Sequence, residues 1–199
     1  MTKFYNRLFT ARVVSFAMAV FVLFGCASTN RPGVSATDNQ KRQQAVGKSD
    51  LLIVPGQRVG PISLDMAWDE VIAILGQPDF SYINTGDPTK IATQLRYWSI
   101  NLEVFFDSSA TPMATSIRVL AYTPRPKTFG TLTWSDFEPI GAAFRTAEGI
   151  GLGDSSFDVA RKYGSYQSDG GPLMMTYSER GLHFIVTKDH RIWSISIRK

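Results

Sequence analysis

Apolar positions along the chain fall into two alternating periods, one helical and one extended. Trp68, Val71, Ile72 and Leu75 recur at i, i+3, i+4 and i+7, which predicts a short amphipathic helix. Gly76 closes it and Pro78 prevents continuation. A second stripe, Val159, Ala160 and Tyr163, follows the capping-box-like Ser155-Ser156-Phe157-Asp158 and ends at Gly164. Each helix is only about three turns long and needs a surface to pack on. Period-two alternation supplies that surface. Strands are expected over Thr93 to Trp98, Leu102 to Asp107 and Met113 to Tyr122, and again over Leu173 to Tyr177, Leu182 to Thr187 and Arg191 to Arg198. Ser99-Ile100-Asn101, Ser178-Glu179-Arg180-Gly181 and Lys188-Asp189-His190 provide turns short enough for antiparallel meanders. The expected fold class is α+β, with two helix-plus-three-strand repeats forming an antiparallel six-stranded sheet and helices on one face.

The word repeat rests on self-alignment. At an offset of 88, Ile62 meets Ile150, Leu64 meets Leu152, Val71 meets Val159 and Gly76 meets Gly164. At an offset of 80, Tyr97 meets Tyr177, Leu102 meets Leu182, and Ser116-Ile117-Arg118 meets Ser196-Ile197-Arg198. One length change of eight residues in the loop after the helix reconciles the two offsets. Residues 51–122 then form a first repeat and 146–199 a second. Between them, 123–145 is a linker that begins extended at Thr123-Pro124-Arg125-Pro126 and is pinned to the core by Trp134, Phe137 and Phe144.

Charge and the N-terminus change the picture of where such a domain works. The 199 residues carry a formal charge of +4, which invites a nucleic-acid reading. Residues 1–25, however, hold Lys3, Arg7 and Arg12 and no acid, so their removal leaves 18 basic against 17 acidic side chains. No polyanion footprint remains, and nucleic acid is not an expected partner. Val13 to Phe24 is a 12-residue apolar stretch, short of the roughly 20 needed to span a bilayer, so it reads as an export signal. Leu23-Phe24-Gly25-Cys26 resembles the lipobox of bacterial lipoproteins. That resemblance implies acylation of Cys26 and, with Ala27 rather than Asp following it, sorting to the periplasmic face of the outer membrane. An ordinary secretory peptide with an incidental cysteine is the other reading. Residues 26–50 hold no aromatic residue and little to bury, and are expected to be a flexible tether.

Ile62-Ser63-Leu64-Asp65-Met66-Ala67-Trp68-Asp69-Glu70-Val71 through Leu75-Gly76-Gln77-Pro78 resembles the helix motif of small outer-membrane lipoproteins of the BamE/SmpA type. Met66, the Glu70-Val71 pair and Leu75-Gly76-x-Pro78 carry the match, while Asp65 and Ala67 stand where that motif has Gly and Thr. The tandem arrangement is similar to beta-lactamase inhibitor proteins, in which two such units share a concave sheet. The likeness covers residues 58–122 and 146–198 and implies a fold, not a task.

Candidate chemistry is sparse. A single cysteine excludes an internal disulfide, and two histidines without ligand spacing form no zinc nucleus. Neither a metal nor a cofactor is expected. Ser178, His183 and Asp189 could be imagined as a triad, but no nucleophile-elbow motif accompanies them. His183 and His190 read more simply as exposed strand and turn residues. Gly149-Ile150-Gly151-Leu152-Gly153 superficially resembles a phosphate loop but lacks the Lys-Ser/Thr pair.

Binding is better supplied. The sheet face turned away from the helices is expected to carry Arg96, Trp98, Glu103, Phe105, Ser116, Arg118 and Leu120, then His183, Ile185, Ser194, Ser196 and Arg198. Aromatics beside arginines compose the centres of protein interfaces, so Arg96, Trp98, Phe105, Arg118 and His183 are candidate partner-binding residues. The alternative is a second core layer beneath the 123–145 linker or the eight-residue insertion. The sequence thus reads as a non-catalytic, lipid-anchored module that binds or scaffolds another cell-envelope protein. An inhibitor-like protein that blocks a secreted or periplasmic enzyme through the loop Asp79 to Lys90, a hydrolase using His183, and a small-ligand or lipid carrier are the competing readings.

Overall fold

Alternating side chains do become strands, but more strands than the pattern announces. The computed structural model describes residues 51–82, 93–122, 131–137, 143–168 and 173–199, with the single positions Thr37, Gln40, Arg42, Gln44 and Gly47. All of them belong to one unit, Arg31–Lys199. In chain order the elements are β1 (Leu52–Val54), β2 (Arg58–Val59), β3 (Ile62–Ser63), α1 (Trp68–Leu75), β4 (Phe80–Tyr82), β5 (Gln94–Tyr97), β6 (Leu102–Phe106) and β7 (Ala114–Leu120). Then come β8 (Arg145–Thr146), α2 (Ser156–Tyr163), β9 (Met174–Tyr177), β10 (Leu182–Val186) and β11 (Ile192–Arg198). Two sheets result: a seven-stranded one in the order β4-β5-β6-β7-β11-β10-β9 and a four-stranded one in the order β3-β2-β1-β8. The larger is antiparallel throughout.

This corrects the expected fold class. A six-stranded sheet made only from two helix-plus-three-strand units accounts neither for β4 nor for the four-stranded sheet, and the described elements are mostly strands. β4 escapes the pattern because Phe80, Ser81 and Tyr82 are all exposed, so no buried face alternates with an open one. The strands β1, β2, β3 and β8 are two or three residues long, too short for any period to show.

The core lies on one side of the large sheet as two continuous cross-strand rows. Leu95, Val104, Ile117, Ile197, Leu182 and Tyr177 stand in register, and so do Tyr97, Leu102, Val119, Ile195, Phe184 and Met175. All are buried, and Val71 and Leu75 of α1 and Val159 and Tyr163 of α2 join the same cluster. Burial of side chains this size is worth about 1.5–3 kcal/mol each, which is what two eight-residue helices lack on their own. Trp134 and Phe137 pack against this core and Phe144 lies within it, the ring of Phe137 stacking on Trp193.

Corresponding backbone contacts recur in the two halves. Tyr97 Oη donates to Gly76 O at 3.3 Å, and Tyr177 Oη to Gly164 O at 3.3 Å. Ala67 bridges Met113 as Ser155 bridges Arg191. These contacts keep the offsets of 88 and 80 up to β6 and β10 but change the last one. Hairpin registers pair Val119 with Leu102 and Ile197 with Leu182, so the final strands correspond at an offset of 78. Arg118 therefore corresponds to Ser196, not to Arg198. The turn 187–191 is two residues shorter than 107–113, and a slip of two leaves every side chain on its own face.

Candidate functional site

One row of side chains crosses the large sheet on the face opposite the core. Hydrogen-bond registers place Phe80, Arg96, Glu103, Arg118, Ser196, His183 and Thr176 side by side from β4 to β9. Arg96, Glu103, Arg118, Ser196, His183 and Thr176 are each one residue from a core position, so strand alternation turns them outward, and Phe80 joins the row through its pairing with Arg96. Arg96, Arg118 and His183 are thus brought into one line, and Phe105 lies in the neighbouring row beside Ser116. Trp98 is not on a strand: it opens a 3-10 turn, Trp98–Ile100, with its ring 5.3 Å from that of Tyr122.

Glu103 anchors the first half of the row. It is 1% exposed, yet two guanidinium groups reach it: Arg96 Nε stands 2.7 Å from Oε1 and Arg118 Nη1 3.5 Å from Oε2. The Arg96 Nε–H does not point along its contact, so that pair is held by charge and not by a hydrogen bond. Burial pushes the Glu103 carboxyl above its ordinary pKa, with Arg96 and Arg118 pulling the other way. The arginines also lie over aromatic rings. Arg118 Cζ is 4.8 Å from the Phe105 centroid, and Arg96 Cζ is 5.4 Å from Trp98 and 5.6 Å from Phe80. Each arginine side chain is about one-third exposed, so part of its charge is presented to solvent while the rings brace it.

His183 occupies the matching place in the second half, and it is buried, at 5% exposure, rather than the exposed strand residue its alternation predicts. Its Nδ1 is 3.2 Å from Thr176 Oγ1, and the Arg198 guanidinium caps the ring, donating from Nε to Nε2 with Nη2 3.1 Å from Nδ1. The imidazole is the acceptor there, a poor arrangement for a general base that must take a proton from substrate. The other members of the imagined triad are engaged elsewhere. Ser178 Oγ donates to Gln167 Oε1 at 3.0 Å, and the Asp189 carboxylate accepts from Trp134 N at 3.1 and 3.2 Å. His190 sits in a turn at φ 60°, its ring 5.2 Å from that of Phe157. In the Gly149–Gly153 run, Gly151 N–H donates to Asp154 Oδ2 at 2.9 Å, so the chain's own carboxylate takes the place an anion would need.

Among the described residues no group of three His, Cys, Asp or Glu side chains could hold a metal, and no helix is long and apolar enough to cross a membrane. Cys26, the apolar stretch before it and most of the loop Asp79 to Lys90 lie outside the described residues. The described part of the linker packs through Trp134 and Phe137 on the core, not over the Arg96–Glu103–Arg118 row.

Sequence reasoning missed two things. Phe80 falls in the expected loop Asp79 to Lys90, whereas it extends the row and lies against Arg96. Arg42, in the stretch expected to be a flexible tether with little to bury, is 0% exposed and bonded into the end of α1. An inventory of apolar residues gives no signal for an arginine that buries by satisfying carbonyls. No family model, no curated protein and no solved structure matches this chain.

Proposed function

We propose that this chain is a non-catalytic binding module of the bacterial cell envelope, held at the periplasmic face of the outer membrane by a lipid on Cys26, and that it docks another envelope protein through the face carrying Arg96, Trp98, Phe105 and Arg118. The observation that carries the reading is the Arg96–Glu103–Arg118 row. A buried carboxylate fixes two guanidinium groups in place, three aromatic rings brace them, and nothing described lies on top. Ordering two long cationic side chains before binding removes much of the entropy that a partner would otherwise cost them. The rings of Phe80, Trp98 and Phe105 beside them supply the apolar surface that interfaces concentrate. The anchor part of the reading rests on the lipobox-like Leu23-Phe24-Gly25-Cys26 and its apolar leader.

The test uses the membrane-anchored full chain with a photocrosslinking residue at position 105, and a control crosslinker at Arg161 on the exposed side of α2. A discrete adduct from 105, absent from 161 and reduced about tenfold by Arg96→Glu with Arg118→Glu, supports the proposal. Equal adducts from both positions, or none from 105 in a folded chain, sink it. Globomycin-sensitive processing and loss of membrane fractionation in Cys26→Ala test the anchor separately.

A further inference from the structure

The two halves differ most where Arg42 is seated. Its Nε donates to Leu75 O at 3.1 Å, Nη1 to Asp79 Oδ2 at 2.8 Å and Nη2 to Gln77 O; Ser99 Oγ is 3.5 Å from Nη1, and Cζ lies 4.9 Å from the Tyr97 ring. Past the end of the helix the halves correspond at an offset of 88, and on the following strand at 80. Leu75, Gln77, Asp79, Tyr97 and Ser99 therefore map onto Tyr163, Ser165, Gln167, Tyr177 and Glu179. All five of these line a hollow of ≈ 290 Å³.

Contacts support the mapping independently of the numbering. Asp79 N donates to Arg96 O, and Gln167 N to Thr176 O, both at 2.9 Å. Asp79 Oδ2 accepts from Trp98 N, and Gln167 Oε1 from Ser178 Oγ, across the same pair of elements. Each tyrosine bonds the carbonyl of the glycine that ends its helix.

We infer that this hollow is a receptor for the guanidinium of an arginine side chain belonging to another molecule. The Tyr163 and Ser165 carbonyls at the end of α2 are fixed acceptors at the negative pole of a helix. Tyr177, at the place of Tyr97, lines the hollow beside the rings of Tyr163 and Tyr166, 5.4 and 6.3 Å away, and a guanidinium entering it would stack on this ring cluster. Gln167 is neutral where Asp79 is charged, and the negative charge comes from Glu179 in place of Ser99. A planar fork suits two carbonyls and a ring, whereas an ammonium or a neutral urea does not. Arg180, in the place of buried Ile100, lies over the Tyr163 ring at 5.4 Å and puts a like charge on the rim. None of the side chains proposed to contact the guanidinium belongs to the Arg96–Glu103–Arg118 cluster, so the hollow can be tested apart from that face.

Nα-acetyl-arginine methylamide titrated into the detergent-solubilised full chain is the probe, with its lysine and citrulline counterparts, followed by calorimetry and by the NMR signals of Tyr177 and Gln167. Saturable arginine binding is expected, with lysine and citrulline at least about tenfold weaker. Glu179→Gln should weaken it about fivefold, while Gln167→Asp and Arg180→Ala should each tighten it. All three positions are exposed, so the fold is not at issue. Absence of saturation at Tyr177, citrulline binding as well as arginine, or weakening by Arg180→Ala, which marks an anion site, overturns the inference.

Discussion

The two halves of the large sheet share a backbone frame and fill it with opposite chemistry. At the centre of the first row a buried glutamate is clamped by Arg96 and Arg118; at the centre of the second a buried histidine lies between Thr176 and the Arg198 guanidinium. Beside α1 the N-terminal segment inserts Arg42, while beside α2 the matching place is open. In the second comparison the first half is closed by charge pairing inside the chain, whereas the second leaves polar groups lining a hollow. Conserving strand register therefore fixes where groups stand, and single substitutions on the outward face decide what they can do.

The largest effect should come from breaking the closed half. Arg42→Ala removes a fully buried guanidinium and strands the Asp79 carboxylate with the Leu75 and Gln77 carbonyls. Loss of about 3–5 kcal/mol is expected in urea unfolding. Glu179→Ala, at the corresponding place in the open half, should stay within about 0.5 kcal/mol. If the Arg42 variant also changes stability by less than about 0.5 kcal/mol, the N-terminal segment contributes nothing to the fold and the contrast between the halves disappears.

That contrast was only partly visible in the residue pattern. Trp68, Val71, Ile72 and Leu75 announce α1 because a helix face must be apolar to pack, and Leu102, Val104 and Phe106 announce β6 for the same reason. The displacement by two that pairs Arg118 with Ser196 was invisible, because alternation repeats every two residues and tolerates it. Alternation puts Glu103 and Arg118 on the outward face, but their mutual pairing depends on register across strands, which no single strand's pattern contains. Burial of His183 arises from Arg198 folding over it, a side-chain reach of 15 residues along the chain. Patterns report which face a residue takes; they do not report what another side chain lays on top.

Glu103 gives the next effect and a pH dependence with a defined sign. Glu103→Ala leaves two guanidinium groups facing one another. Because each can turn toward water, the cost should be about 2–3 kcal/mol, below that of a fully enclosed pair. Folding raises the Glu103 pKa, so its contribution is fully present below the ordinary glutamate value of 4.5 and is lost as pH rises through the folded value. Glu103→Gln should therefore gain on the parent chain as pH climbs from about 4.5 toward neutrality. A difference that is flat with pH means that the two arginines balance burial, and one that moves the other way means that they outweigh it.

The smallest effects concern a pair of corresponding turns. Asp65 N donates to Ala114 O and Gly153 N to Ile192 O, each 2.8 Å, and both residues are left-handed, at φ 67° and 84°. A Cβ at Gly153 would stand 2.8 Å from the Trp134 ring, so Gly153→Ala combines backbone strain with overpacking and should cost about 2 kcal/mol. Asp65→Gly runs the opposite way. It relieves the strain of a side chain in the left-handed region, at the expense of an exposed ion pair with Lys199 and some unfolded-state entropy. A net gain of about 0.5 kcal/mol is expected, and Asp65→Ala should instead lose about 1 kcal/mol. Thermal unfolding of the three variants side by side decides whether the first half tolerates at Asp65 a conformation that the second half reserves for glycine. Equal stability of the alanine and glycine variants at position 65 would show that the turn there does not impose the left-handed geometry it shares with Gly153.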